Sequence, residues 1–406
     1  MLLAIYLPAT LLAICDGLLI PTLPVFAERF GAGLAAVGLV LAAEGLGTLL
    51  ADVPAGHLVN DMRPRAAMLL GVGVVAAAAL GSALAPSLGW LFAARFASGV
   101  GMSVWNVSRH ALLAAATSRG NRGRTMGVFG GLTRLGSFVG PAMGGGLAAF
   151  YGLRAPFLLY AAVGAATLAL LALVVLPPTL RTPPARRTPA GRRAAGRGSP
   201  EGSAERRAVL ASARRDLINA GGAQLLGQSV RAGRRVLVPL YATQVLGLDV
   251  GVAGLIVSVS SLADMSLFYV AGMIMDRFGR KHAIVPSFLL QAAGMALVPL
   301  AGGAYGLAGA ALVMGVGNGI SAGTMMTLGA DLAPAGAVAA FLGRWRLVGD
   351  AGFVAGPLVV GVVADLLGLG PSALAIGAVG VGAAGWFAFG VPETLRRHAA
   401  TLTRPR

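Results

Sequence analysis

Long apolar runs fill most of the 406 residues, and short polar gaps separate them. Twelve runs reach about 20 residues or more, the length a helix rising 1.5 Å per residue needs to cross a bilayer. They predict spans at 4–25, 34–56, 66–86, 89–112, 126–149 and 154–177. After a polar stretch, further spans are expected at 217–243, 251–275, 281–300, 304–329, 342–364 and 370–391. The expected class is an all-α integral membrane protein with twelve transmembrane helices. The first run lacks a basic start and holds Asp16 in its middle, so it reads as a retained span rather than a cleaved leader.

Composition agrees. Only 12% of residues are charged, 56% are apolar and the mean hydropathy is +0.79. A soluble domain of this size needs more surface charge. The 61 glycines suit helices that approach closely and break within a bundle.

The formal charge of +17 changes the picture through its placement. Basic residues gather in nearly every second gap: Arg63 and Arg65, then Arg119, Arg122 and Arg124, then ten arginines from Arg181 to Arg215, then Arg277, Arg280 and Lys281, and finally Arg396 onward. The alternate gaps offer little beyond Arg29 and Arg154, and the gap before Arg344 is an exception on the basic side. This is the positive-inside pattern, which places both termini in the cytoplasm; the expected location is a bacterial inner membrane. A nucleic-acid partner is not expected. Cys15 is the one cysteine, so no disulfide framework or Cys-rich metal site is expected. The four histidines are scattered and no catalytic cluster is visible, so neither an enzyme nor a bound cofactor is expected.

Two anchors repeat at one offset. Gly56–Asn60 matches Gly272–Asp276, and Gly136–Pro141 (GSFVGP) matches Gly352–Pro357 (GFVAGP), each shifted by 216. Six spans per half keep both halves in one orientation, related by an axis along the membrane normal, an arrangement typical of rocking transporters. The expected organisation is a six-helix bundle over 1–180, an Arg-rich disordered cytoplasmic linker over 181–215, a second six-helix bundle over 216–395 and a cytoplasmic tail over 396–406. The linker's composition also suits anionic lipid headgroups.

Taken together, the chain resembles the major facilitator superfamily, and within it the twelve-helix drug:proton antiporters. The clearest signature is Gly272, Asp276, Arg277, Phe278, Gly279, Arg280 and Lys281 between spans eight and nine. Its first-half copy is degenerate, with Asn60 in place of Asp and Arg63 in place of Gly. Span four carries Arg95, Ser98, Gly99 and Gly101, with Ser98 where Gln is common. Span five carries Gly136, Gly140, Pro141, Gly144 and Gly145, the pattern associated with exporters. Val391 to Thr394 (VPET) closes span twelve in the family's style. The resemblance implies the major facilitator fold, alternating access, and a cytoplasmic loop that latches the two halves. On physical grounds Gly272 suits close packing, Asp276 suits a helix N-terminus, and Arg277, Arg280 and Lys281 suit carboxylates or phosphates. The glycines at 136, 140 and 144 share one helix face, which suits either a seam between halves or ordinary close packing.

Ionisable residues within spans mark pathways or pairs. The candidate proton-coupling acids are Asp16, Glu44, Asp264 and Asp350, with Asp16 and Glu44 first. The candidate charge partners are Arg95, Arg134, Arg231 and Arg346. Depth suggests Asp264 with Arg134, Asp16 with Arg231, and Glu44 with Arg346 or Asp350. Asp52 reads as facing water and Arg109 as snorkelling. Met102, Trp105, Asn106, Phe129, Tyr241, Phe268, Tyr269, Met325 and Met326 are candidates for an adaptable cavity lining. The expected function is proton-driven export of a small amphipathic drug or natural product by a monomer in contact with membrane lipid. The alternatives are an uptake symporter or facilitator for a small metabolite and, less favoured, a non-transporting scaffold.

Overall fold

The computed structural model describes residues 5–116, 122–173, 200–334 and 338–395. The first half holds α1 (Leu7–Glu28), α2 (Leu34–Asp61), α3 (Pro64–Ala83), α4 (Leu88–Ala116), α5 (Arg122–Tyr151) and α6 (Ala155–Leu173). The second holds α7 (Pro200–Leu240), α8 (Val250–Arg277), α9 (Arg280–Leu300), α10 (Ala304–Leu332), α11 (Val338–Leu367) and α12 (Leu369–Phe389). Among the described residues, nine of these helices are apolar and long enough to cross a membrane. The other three, α4, α5 and α7, have 29, 30 and 41 residues. They carry arginines that line the cavity described below.

Three irregularities escape the apolar pattern. α8 breaks at Leu267, between Val250–Ser266 and Phe268–Arg277. α10 breaks ahead of Gly323, whose φ of +81° is left-handed backbone that glycine adopts without penalty. α7 ends in a π turn over Tyr241–Val245, just after Pro239, where the missing amide loosens the helical ladder. The expected disordered linker also needs correction. Residues 200–215 are helical and continuous with α7. Pro200 fits a first helical position, and the Ala, Glu, Arg and Leu that follow favour helix. Residues 181–199 and the tail 396–406 lie outside the described residues.

Each half packs in the same pattern. α1 lies on α5, α2 on α4, and α3 on α6; correspondingly α7 lies on α11, α8 on α10, and α9 on α12. Trp105, Phe157 and Tyr160 are fully buried in the first half, and Trp345, Phe288 and Phe387 are buried in the second. The expected seam role of the span-five glycines is corrected in part. Gly136, Gly140 and Gly144 face α1 in their own half, where a Cβ on Gly140 would come within 2.5 Å of Gly17 Cα. Pro141 and Gly145 face the other half. A Cβ on Gly145 would lie 2.6 Å from the Val250 carbonyl oxygen and 3.1 Å from Gly254 Cα.

The halves meet along two seams, α2 with α11 and α5 with α8. Gly38 sits against Gly361 and the Pro357 carbonyl in one, and Gly254 against Gly145 and the Pro141 carbonyl in the other. These positions differ by the same offset of 216, so the repeat is realised as two matching close approaches. Both lie toward the end away from the basic residues Arg63, Arg65, Arg277 and Arg280.

That end carries a further tie. α2 starts after Gly33, which has no side chain to cap it. Asp365 of α11 supplies the cap from the other half, accepting from Leu34 N–H at 2.9 Å. The matching helix α8 caps itself, Asp249 accepting from Gly251 N–H at 2.7 Å. Losing such a cap costs about 1 kcal/mol, roughly a fivefold shift in an equilibrium. Asp365→Ala should therefore move the population toward separation at this end, read as longer distances between spin labels at Arg29 and Leu366. Adding Gly33→Asp should restore the α2 cap without restoring the tie. Unchanged distances in Asp365→Ala would show that the contact does not hold the halves.

Candidate functional site

A cavity of about 520 Å³ lies between the halves. A second of about 420 Å³ adjoins it through Asp16, Ile20, Asn106, Arg235 and Phe353. The lining extends along α1 to Ala9, along α4 to Arg109 and along α7 to Gln228, all on the basic side of the membrane centre. At the opposite end the seams close above it.

The acids occupy four different settings. Asp16, within α1, accepts a hydrogen bond from Tyr160 Oη at 2.5 Å. Tyr160 is fully buried on α6, and Asp16 joins no ion pair among the described residues. The expected Asp16–Arg231 pair does not form. Arg231 turns into its own half, donating to Ser321 Oγ at 2.8 Å and lying over the Phe288 ring at 5.5 Å. Equal depth did not bring the two side chains to the same azimuth.

Glu44 also pairs differently than expected. It is clamped by Arg95 of α4, with Ser98 Oγ at 3.4 Å. The reason is close contact within the half. Gly47 and Gly99 let α2 and α4 approach so tightly that a Cβ on Gly99 would strike the Glu44 carbonyl. Arg346 instead lies 3.6 Å from both Asp52 and Asp350. Asp52 does not simply face water: it accepts from Ser103 Oγ at 2.5 Å and joins α2 to α11 through Arg346. Asp264 and Arg134 meet across the α5–α8 seam at 3.2 Å, with Arg134 over the Phe268 ring at 4.7 Å.

Arg109 is 8% exposed, lines the cavity and lies over Trp105, so it does not snorkel. Met102, Trp105 and Asn106 line the cavity as expected. Tyr241 and Met325 are core residues, Phe268 is seam-side, and Tyr269 and Met326 are exposed on the surface. The side chain of Phe129 lies outside the described residues.

The loop between α8 and α9 is built around ties within the second half. Arg280 pairs with Asp331 at 2.9 Å, Thr394 donates to the same carboxylate at 2.8 Å, and Lys281 reaches the Ala388 carbonyl at 2.7 Å. Glu393 accepts from the backbone N–H groups of Arg280 and Lys281, both at 3.0 Å. Burial works to raise the Glu393 pKa, but these donors with those of Leu395 and Thr394 hold its carboxyl below the usual range. Gly279, at φ +108°, leaves room for that carboxylate. Asp276 is 83% exposed and lies 3.7 Å from Arg280; Arg277 lies over Phe278. Gly272 has open space where close packing was expected, with nothing described within 4 Å of a Cβ there. Sequence reasoning assigned no role to Tyr160, Asp331 or Glu393. Tyr160 was visible as a lone phenol in an apolar run, but nothing local pointed it at Asp16.

A family model of the Major Facilitator Superfamily matches residues 5–221 and 223–404. The chain belongs to that superfamily. As a Major Facilitator Superfamily transporter it is a multi-pass membrane protein and not an enzyme. Members of the family move small solutes. It is similar to the vesicular acetylcholine transporter of Rattus norvegicus, with 34% identity over 143 residues, 35% of this chain and 27% of that one. It is also similar to the methylenomycin A resistance protein of Streptomyces coelicolor, with 32% identity over 117 residues, 29% of this chain and 25% of that one. The matches span about a quarter of those relatives' length. A bacterial homologue of the human lysosomal transporter Spinster, solved inward-facing and unoccupied, shares the fold. Its TM-score is 0.76 at 16% identity, covering 100% of this chain and 98% of that one.

Proposed function

We propose that this transporter exports a small amphipathic compound, a drug or natural product, in exchange for protons. The observation that carries the reading is Asp16: a carboxyl in the wall of a cavity between two rocking halves, held by a phenol and joined to no described cation. Such a group can take up and release a proton as access alternates. The basic end is the cytoplasmic one, with both termini there, by the positive-inside distribution. The cavity then loads from the cytoplasm of a bacterial cell, and the closed seams face outward. Export is further supported by the glycine pattern of α5, which shapes both the α1 contact and the α8 seam, and by similarity to a resistance protein.

The cycle follows from these parts. Substrate enters from the cytoplasm with Asp16 deprotonated. The halves rock about the seams at Gly38–Gly361 and Gly145–Gly254, the Asp365 tie opens, and substrate leaves outward. A proton from outside then neutralises Asp16 for the return and is released to the cytoplasm before the next substrate binds. Asp276, exposed in this state, becomes available to the other half when the basic end closes. No bound cofactor is needed, and one copy of the chain contains the whole path.

Proteoliposomes with an imposed pH gradient and a panel of labelled amphiphiles test the reading. Uphill movement of at least one compound, collapsed by a protonophore, is expected. Movement that follows each solute's own gradient and ignores the pH gradient would replace export with facilitated diffusion. Uphill movement in the same direction as the protons would replace it with symport.

A further inference from the structure

The charges lining the cavity do not balance. Among the described residues, seven arginines face the two adjoining cavities, against four carboxylates. Glu44, Asp264 and Asp350 are engaged by Arg95, Arg134 and Arg346. Asp16 is engaged by a neutral phenol. The surplus concentrates on one helix. Arg231, Arg234 and Arg235 of α7 lie at spacings of three and four residues, and so project from one face toward the cavity. None of the three joins an ion pair among the described residues. Arg231 Nε and Arg234 Nη1 are buried without a hydrogen-bond partner. Arg235 is exposed within the cavity, over the Phe353 ring at 5.6 Å. Unpaired guanidinium groups in a membrane interior are costly, and planar forks of this kind match carboxylate, sulfonate or phosphate oxygens two at a time.

We infer that Arg234 and Arg235 bind the anionic headgroup of the substrate, with Arg231 adding to the positive field. The inference rests on the cavity being the substrate path, as proposed above, and names the chemical class that the path takes. The wall opposite supplies the apolar part of the site: Met102 and Trp105 of α4 and Phe353 of α11 line the same space. The substrate is therefore an organic anion with an aromatic or aliphatic body. A cationic amphiphile would meet the surplus positive charge, with Asp16 as the one lining carboxylate not engaged by a described cation.

The test is equilibrium binding to the full-length protein in detergent micelles, read as thermal stabilisation. The probes share one body: 2-naphthoate, naphthalene-2-sulfonate, 2-naphthol and 2-naphthylmethylammonium. Both anions should stabilise the parent and the ammonium should not. Arg234→Gln and Arg235→Gln should each weaken anion binding by about tenfold or more, since each removes charged hydrogen bonds. Arg235→Lys should retain part of it, which separates loss of charge from loss of fold. Equal or better binding of the ammonium would overturn the inference, as would no stabilisation by either anion. Anion binding unchanged in both glutamine variants would overturn it too. No gradient enters this measurement. Anion binding without proton-driven transport would therefore fault the export reading alone, and proton-driven export without anion binding would fault the inference alone.

Discussion

Asp16→Asn is expected to abolish proton-driven accumulation in proteoliposomes while leaving downhill exchange of substrate close to that of the parent. The reason is the difference between Asp16 and the other acids of the cavity. Protonating Glu44, Asp264 or Asp350 means giving up an ion pair to Arg95, Arg134 or Arg346. Protonating Asp16 disturbs one hydrogen bond, from Tyr160 at 2.5 Å, and that phenol can turn from donor to acceptor. Asparagine keeps the shape and can still bond to the phenol, but it cannot cycle a proton. Tyr160→Phe should weaken coupling without abolishing it, because the carboxyl remains. Full uphill accumulation by Asp16→Asn would move the proton site elsewhere, first to Asp350. Membrane abundance has to be measured beside flux, so that a folding defect is not read as a coupling defect.

Much of the architecture is legible in the internal repeat of the sequence. An offset of 216 relates Gly38 to Gly254, Gly145 to Gly361 and Pro141 to Pro357, and these are the residues at which the halves touch. Small residues at fixed spacing are a backbone property, and backbones repeat faithfully. Side-chain partners are less legible. Asp264 and Arg134 meet as depth suggested, because the α5–α8 seam leaves them facing each other. Asp16 and Arg231 share a depth but not an azimuth, and hydropathy carries no azimuth for helices that are apolar on every side. Nor does the apolar pattern mark the breaks at Leu267 and before Gly323, which depend on how α8 and α10 bend around the cavity.

The repeat also shows where the halves have diverged. Adding 216 to Glu44 and Arg95 gives Ser260 and Ala311. There a hydroxyl donates to a carbonyl at 2.5 Å, at the place where the first half holds an ion pair. The close approach is common to both, since Gly99 and its counterpart Gly315 each lie against the facing backbone. Charge has thus been placed on a scaffold that does not need it to form. Arg134 likewise corresponds to Asp350, so the two seams carry opposite charges at matching positions. Substituting Gly99 or Gly315 should therefore disturb packing alike, whereas removing the charge of Glu44 or Arg95 has no counterpart in the second half.

The Glu44–Arg95 pair gives the largest expected effect on stability. Arg95 is 3% exposed and meets Glu44 through Nη2, while its Nε and Nη1 are buried with no hydrogen-bond partner. Glu44→Gln leaves that guanidinium buried without a counter-charge, and Arg95→Ala leaves the carboxylate facing the cavity alone. Breaking a buried pair from one side costs about 3–5 kcal/mol. Glu44 retains 29% exposure, so cavity water softens the loss of Arg95 more than the loss of Glu44. Glu44→Gln should thus be the more damaging single change, read as lower membrane abundance and earlier thermal unfolding in micelles. Combining Glu44→Leu with Arg95→Leu removes both charges, and packed apolar replacements of buried pairs are often neutral. The double variant should therefore recover most of the stability lost by either single leucine variant. Its transport tells the rest. If the pair only joins α2 to α4, the double variant keeps proton-driven flux. If flux disappears while stability returns, Glu44 takes part in the proton path beside Asp16. Strictly additive losses in the cycle would show that the two side chains do not support each other at all.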